Sequence, residues 1–94
     1  MPAITRKGDN CTGHGGFSPR NSVSGSGDVF FNGIPGHRVG DGWASHCDPN
    51  SCHPSVLAAG SPTVFVNGKP IGRVGDAVAC GSAVASGSPD VFAN

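Results

Sequence analysis

The chain has 94 residues and a formal net charge of zero, because six basic residues balance six acidic ones. A nucleic-acid-binding module would need a basic face, which so few, evenly spread cations do not provide. The first residues lack the apolar segment of a signal peptide, and no apolar stretch is long enough to cross a membrane. We therefore expect one small domain that folds in the cytosol and leaves the cell only if a machine carries it.

The composition predicts a thin apolar core. The chain contains 16 glycines and 8 prolines, and 36% of its residues are hydrophobic. Such a composition favours disorder when it is combined with high net charge, which is absent here. Four cysteines and four histidines are the obvious source of additional stability. Because cytosolic thiols stay reduced, this pattern favours a metal site over a disulfide framework.

In chain order, the sequence presents one repeat three times. The second half of the repeat comes first, at Ile4–Asp9, and full copies follow at Val29–Asp41 and Val64–Asp76. The first half returns at the end, in Val91–Asn94. The chain thus resembles a ring of three units cut at one turn, and we expect the last segment to pair with the first. Three stacked units can bury a core that no single unit can bury.

The elements within each repeat are β-strands. β-branched and aromatic residues lead into Asn32-Gly33 and Asn67-Gly68, and Asn-Gly is the strongest short signal for a type I′ hairpin. A Gly-Ser pair precedes each Val-Phe strand and predicts a turn. No window keeps an apolar period of 3.6 residues. The fold class predicted from these patterns is all-β with pseudo-threefold symmetry.

The loops after the repeats contain the residues that can bind a metal. His14, His46 and Cys80 each follow the Asp of a repeat by four or five residues, so threefold symmetry would bring them together on the axis. The long middle loop can supply a fourth ligand, for which His53 is the first choice. Four imidazole and thiolate ligands are typical of a closed structural zinc site, and metal binding would then stabilise the fold directly.

Three other cysteines leave alternatives open. Cys47 and Cys52 flank the same loop, and either could replace His46 or His53 as a ligand. The two could also form a disulfide after delivery to an oxidising compartment. Cys11 precedes His14 by three residues, and we interpret it as a small packed residue.

These residues resemble a known family, the proline-alanine-alanine-arginine repeat (PAAR) proteins that form the tip of type VI secretion spikes and contractile phage tails. The most specific segments are Thr12–Gly16, Ser61–Pro70, Arg73–Asp76 and Cys80-Gly81. The signature tetrapeptide departs from the family pattern, since only its Pro and Arg remain in the two full copies. The resemblance nevertheless covers essentially the whole chain.

The resemblance implies a small β cone of three repeats. Its flat base would sit on a trimeric β-helical spike protein, of the VgrG type or of a phage tail. One zinc ion near the apex would be held by three His and one Cys, which correspond to His14, His46, His53 and Cys80. Residues 1–94 would form a single domain without an effector extension, so any toxin cargo would be a separate protein.

Two rings of apolar residues are candidates for binding the spike. Adjacent strand residues point to opposite faces, so one ring is expected in the core and the other at the base. The rings are Val29, Val64 and Val91, and Phe30, Phe65 and Phe92.

Other residues have plainer interpretations. His37 has no histidine counterpart in the other units, which favours a surface position. Trp43, the single tryptophan, is expected to pack over the metal site. The Arg and Asp of the repeats are expected to form ion pairs between units.

The predicted function is therefore mechanical rather than enzymatic. A zinc hydrolase needs an open coordination position and a general base, but four ligands would close this site and no Glu lies near them. The main hypothesis is a tip that caps and sharpens a trimeric spike and assists it in piercing an envelope, which the tip contacts transiently. The alternative is a zinc-binding adaptor that mainly recruits separate toxin cargo. In both cases the chain would be made in the cytoplasm and then travel as part of a virion or secretion spike.

Overall fold

The computed structural model describes residues 1–47 and 49–94, which form short antiparallel strands and turns. None of these residues belongs to a helix that could span a membrane. The strands pair into three two-stranded sheets. Their bounds are β1 (Phe30–Phe31), β2 (Ile34–Pro35), β3 (Gly42–Cys47), β4 (Cys52–Val56), β5 (Phe65–Val66) and β6 (Lys69–Pro70). The prediction of an all-β domain is confirmed.

The two Asn-Gly hairpins have the predicted turn geometry. Asn32 and Gly33 connect β1 to β2 with φ values of 57° and 75°, and Asn67 and Gly68 connect β5 to β6 with 55° and 77°. A type I′ turn needs positive φ at both central residues, a conformation that Asn and Gly adopt at low cost. The residues flanking the two turns pair in the same register.

The third copy of the repeat is completed by the two chain ends. Ala3 forms an antiparallel bridge with Phe92. The backbone N–H of Ala93 donates to the carbonyl of Pro2 at 3.0 Å, a usual length for a strand hydrogen bond. These contacts lie where the other two copies have a covalent hairpin. The predicted pairing of the last segment with the first is confirmed.

The three copies pair with one another in a closed cycle. Each Arg of the repeat forms a bridge with the next copy, and the three pairs are Arg6 with Gly36, Arg38 with Ile71, and Arg73 with Ile4. A second cycle closes the other half of the molecule through the pairs Ser22 with Trp43, Leu57 with Val78, and Val84 with Cys11. Because both cycles return to their starting copy, the backbone has pseudo-threefold symmetry.

The Arg and Asp side chains pair within each repeat rather than between units, which corrects the sequence-based expectation. Arg38 Nε lies 2.8 Å from Asp41 Oδ2, and the other two copies form the same i,i+3 ion pair. The same carboxylate also accepts a hydrogen bond from the backbone N–H of Arg38. The guanidinium reaches the next unit through the hairpin Asn instead, with Arg38 Nη1 donating to Asn67 Oδ1 at 2.9 Å. One arginine therefore fixes its own turn and tethers a neighbouring hairpin.

Two small apolar clusters form the core of a molecule whose extents are 38 × 24 × 21 Å. The hairpin-end cluster consists of Ile4, Val66, Ile71 and Ala93. The loop-end cluster consists of Cys11, Trp43, Leu57, Val78 and Val84. The copy Val29–Asp41 reaches the hairpin-end cluster only through the partly buried Val29 and Phe31, which pack against it.

The space between the clusters is filled by three residues at equivalent positions, His37, Thr5 and Gly72. His37 and Thr5 are both 0% exposed, so the interpretation of His37 as a surface residue is wrong. A Cβ added at Gly72 would lie 2.5 Å from Leu57 Cδ2 and 2.7 Å from Thr5 Cγ2. The side chains of Leu57 and Thr5 would therefore have to shift if position 72 carried a side chain, so their packing depends on a glycine there.

The buried imidazole of His37 is held in one orientation. Its Nδ1–H donates to the carbonyl of Ser24 at 2.8 Å, and its ring contacts Trp43 edge to face with centroids 4.9 Å apart. Nε2 is buried, and none of the residues that the structure describes is its hydrogen-bond partner. Burial lowers the pKa of His37, although the Ser24 carbonyl and the nearby Asp41 carboxylate oppose this shift.

We expect this histidine to make the fold sensitive to acid. The unfolded chain binds a proton at the ordinary pKa near 6.5, whereas the folded chain resists it. Stability should therefore fall as the pH decreases below about 6.5, by at most about 1.4 kcal/mol per pH unit, until the lower folded pKa is reached. His37→Asn keeps a donor for Ser24 but cannot be protonated. Denaturant unfolding between about pH 8 and pH 5 should thus show a shallower decline for the variant; parallel profiles would contradict the prediction.

Candidate metal centre

Four side chains converge at the loop end of the molecule: His14, His46, His53 and Cys80. One potential ligand atom from each lies within 4.8 Å of all the others. His53 Nε2 lies 3.2 Å from His14 Nε2 and 2.7 Å from His46 Nε2, and Cys80 Sγ lies 3.7 Å from His46 Nε2. These are the four residues that the sequence placed together.

The spacing of these atoms fits a tetrahedral metal ion. Around a tetrahedral zinc, two nitrogen ligands lie about 3.3 Å apart, and a nitrogen and a sulfur about 3.6 Å apart. The distances of 3.2 and 3.7 Å are close to these values, whereas the 2.7 Å pair would have to open slightly and the remaining pairs, all within 4.8 Å, would have to adjust to similar separations. A cluster of three imidazole rings and one thiol can therefore hold a metal ion.

The β3–β4 hairpin supplies two of the four side chains. His46 and His53 are directly paired across the hairpin. His46 is 4% exposed, and its Nδ1–H donates to the carbonyl of Ser18 at 2.8 Å. A carbonyl can only accept, so the neutral ring carries its proton on Nδ1 and directs the lone pair of Nε2 towards the cluster. Metal-binding histidines commonly have such a partner on the second ring nitrogen.

His14 is positioned by a tight turn. The backbone of His14 exchanges two hydrogen bonds with that of Phe17, at 2.8 and 3.0 Å. Gly15 within this turn has a φ of +52°, and Gly13 before it has +74°. A Cβ at Gly13 would lie 2.6 Å from the Phe17 carbonyl oxygen. The glycines around His14 therefore allow the chain to fold back closely enough to bring Phe17 against the ligand.

Phe17 is the residue of this site that the sequence analysis missed. Its ring centroid lies 4.3 Å from that of His53, 4.8 Å from that of His14 and 5.0 Å from that of His46. It is thus the aromatic ring that packs against all three imidazoles, a role that was expected of Trp43. The available signal was the spacing His14-Gly15-Gly16-Phe17, since a four-residue turn places its last residue beside its first.

Cys80 enters the cluster from the third repeat. It lies in a turn in which the backbone N–H of Val78 donates to the Ser82 carbonyl and that of Gly81 donates to the Val78 carbonyl. Gly81 has a φ of +106°. Cys80 also packs against the loop-end cluster. The thiol is therefore fixed by its own turn on one side and by the apolar core on the other.

The other cysteines lie outside the cluster. Cys47 and Cys52 are joined in a disulfide at the end of the β3–β4 hairpin, so neither replaces a histidine ligand in this structure. Cys11 is 3% exposed in the loop-end cluster, as expected for a packed residue. Burial alone would raise the pKa of the Cys11 thiol, but hydrogen bonds with Ser82 and the Arg20 backbone lower it overall. Trp43 is also in the loop-end cluster.

The hairpin end of the molecule carries a second candidate surface. Phe30, Phe65 and Phe92 occupy equivalent positions and are 53%, 56% and 48% exposed. The alternative ring is partly buried against the hairpin-end cluster, and its members are Val29, Val64 and Val91. The outward ring is therefore the phenylalanine ring. Exposed aromatic residues in a group are often part of an interaction surface.

The family follows from a comparison with known sequence families. The family model of the PAAR motif matches residues 7–86. The chain belongs to the PAAR-motif family. The match includes all four residues of the metal cluster, whereas the end segments that complete the third repeat lie outside it. No curated protein matched the chain.

Membership of the PAAR family gives the site its context. The family consists of spike-tip proteins of contractile injection systems, so the chain is a component of such a spike and associates with a spike protein. Cys80 of the metal cluster packs against the loop-end cluster, whereas Val29, Val64 and Val91, each adjacent in sequence to an exposed phenylalanine, pack against the hairpin-end cluster. The metal cluster and the phenylalanine ring therefore lie beside different apolar clusters.

Proposed function

We propose that the protein is a non-enzymatic tip that caps a trimeric β-helical spike and sharpens it for passage through a target envelope. The observation that carries this proposal is the ring of Phe30, Phe65 and Phe92. One chain offers three equivalent apolar side chains, and the blunt end of a trimeric spike offers three equivalent sites. Matching symmetry allows one chain to contact all three spike subunits at once.

We further propose that His14, His46, His53 and Cys80 hold one zinc ion. Three imidazoles and one thiolate form a donor set typical of structural zinc, and the distances between the nitrogen and sulfur atoms suit tetrahedral coordination. When bound, the ion would link all three repeats at the loop end. Four protein ligands would fill its coordination sphere, which favours a structural role over catalysis.

The mechanism follows from the arrangement of these two features. The apolar clusters are small, so the loops around the metal cluster need another source of rigidity under load. His14, His46, His53 and Cys80 would hold an ion from all three repeats, and its binding free energy would be lost if the repeats separated. The phenylalanine ring would transmit the axial force from the spike, while Arg6 and Arg38 tether the hairpins of neighbouring repeats through Asn32 and Asn67.

The experiment that tests the capping proposal is native mass spectrometry of the protein mixed with the trimeric spike of the same phage or bacterium. The expected species contains one tip chain and three spike chains. A complex with three tip chains per trimer, or no complex at all, would contradict the proposal. The adaptor alternative instead predicts that a separate toxin binds the tip. It also predicts that the spike trimer stays assembled with the rest of its injection machine when the tip is absent.

A further inference from the structure

The disulfide between Cys47 and Cys52 lies directly beside two of the metal-cluster residues. In the β3–β4 hairpin, His46 pairs with His53, and the next pair is Cys47 with Cys52. The two imidazole nitrogens are 2.7 Å apart, and the two cysteines are covalently joined one residue further along. The disulfide therefore lies next to the His46–His53 pair and restrains the distance between the two strands that carry these histidines.

The hairpin needs this link because its pairing is interrupted just before the histidines. The register shifts between Trp43 and His46, where the opposite strand carries Pro54. Proline has no backbone N–H to donate, and a bulge leaves a residue unpaired. Only two residue pairs lie beyond the shift, His46 with His53 and Cys47 with Cys52. Such a short segment would fray without a covalent connection.

The disulfide is also more exposed to solvent than the two neighbouring histidines of the hairpin. Cys47 and Cys52 are both exposed, whereas His46 is buried and His53 is partly buried. A soluble thiol or disulfide can thus reach the two sulfurs without entering the metal cluster. The redox state of the surroundings can therefore act on this pair alone.

We propose that the Cys47–Cys52 disulfide positions His46 and His53 and couples metal retention to the redox state of the surroundings. This inference rests on the metal centre proposed above. On leaving a reducing compartment, the two thiols lose two electrons and two protons to a low-molecular-weight disulfide such as oxidised glutathione, which becomes two thiols. The new S–S bond fixes the hairpin end and removes two thiol groups that would compete for the same ion.

The first test measures the rate at which zinc passes from the protein to an excess of chelator. Oxidised protein is compared with protein reduced by a phosphine and with the double variant Cys47→Ser/Cys52→Ser. Zinc release should be about 10- to 100-fold faster from the reduced protein and from the variant, the usual effect of losing a group that positions a metal ligand. The variant treated with and without phosphine is the control, and its two rates should agree.

The second test uses the reciprocity of coupled equilibria. If the disulfide tightens metal binding by a given factor, zinc must disfavour reduction of the disulfide by the same factor. The fraction of reduced Cys47 and Cys52 in glutathione buffers should therefore shift when zinc is removed. A disulfide that only stabilised a distant part of the hairpin would show no such dependence on zinc.

The results separate failure of the coupling from failure of the metal centre. Oxidised protein that binds one zinc but releases it within a factor of two of the reduced rate would overturn the coupling alone. The same conclusion would follow if reduced wild type kept zinc while the serine variant lost it, because free thiols would then act as ligands. Oxidised protein that binds no zinc would overturn both proposals.

Discussion

Replacing Cys80 by alanine is expected to remove stoichiometric metal from the protein and to lower its stability severely. The thiol is one of four side chains whose ligand atoms lie within 4.8 Å of one another, and it is the contribution of its repeat to that cluster. Structural zinc sites supply about 10 to 16 kcal/mol of apparent binding free energy, which becomes folding free energy when the unfolded chain has no site. Loss of even about 5 kcal/mol would lower the melting temperature by tens of degrees in a domain of this size.

The measurement is metal content by mass spectrometry, with thermal unfolding in parallel, on protein purified without affinity metal or chelator. His14→Ala should behave like Cys80→Ala because it removes a ligand from a different repeat of the same cluster. Cys11→Ala is the matched control, since it removes the other free thiol but leaves the cluster intact. It should keep one zinc per chain and lose only the stability expected for a small core truncation. A Cys80→Ala protein that retains its metal and melting temperature would contradict the proposed centre.

The parts of the fold that could be predicted are those that recur between repeats. The Asn-Gly turn occurs in both full copies, and its strand and turn residues recur at equivalent positions, so a local rule applied to one copy is checked by another. The same comparison placed His14, His46 and Cys80 near one axis. A residue type that occurs in one copy alone has no equivalent in the other copies against which its predicted position can be compared.

His37 shows why such a residue was placed wrongly. Its local sequence contains no apolar periodicity, and its equivalents are Thr5 and Gly72, so nothing nearby indicates burial. The burial follows from contacts with residues elsewhere in the chain, because the imidazole packs against Trp43 and donates to the Ser24 carbonyl. Packing of this kind exists only once the three repeats are assembled, so a local sequence pattern does not predict it.

The ion pairs and the disulfide illustrate a different limit. Symmetry predicted that Arg and Asp would pair but did not distinguish a partner in the same repeat from one in the next. The tight Arg-Val-Gly-Asp turn decides this, because the carboxylate accepts from both the backbone N–H and the guanidinium of its own Arg. For Cys47 and Cys52, the sequence left ligation and disulfide formation open, and the direct pairing of the two residues across the hairpin favours the disulfide.

Replacing the three exposed phenylalanines with aspartate should abolish binding to the spike while leaving the tip folded. Each ring keeps roughly half of its surface exposed in the free protein. Burial of about 100 Å² of apolar surface per ring corresponds to about 2 to 3 kcal/mol before the costs of association are counted. Losing all three contacts and adding three desolvated charges should weaken binding by at least about 1,000-fold. The quantity to measure is the dissociation constant for the spike trimer, by calorimetry or by sedimentation.

Two exposed valines provide the matched control for this experiment. Val23 and Val56 are 48% and 44% exposed, and they lie beside β3 and in β4, in the half of the molecule that carries the metal cluster. The double variant Val23→Asp/Val56→Asp adds charge to exposed apolar positions but leaves the phenylalanine ring unchanged. It should bind the spike like wild type, and both variants should keep their metal and their melting temperature. If the triple variant binds normally, or if the valine variant loses binding equally, the spike does not contact the phenylalanine ring. Because the metal content reports on the loop end and the dissociation constant on the hairpin end, the two measurements together assign each function to its own end.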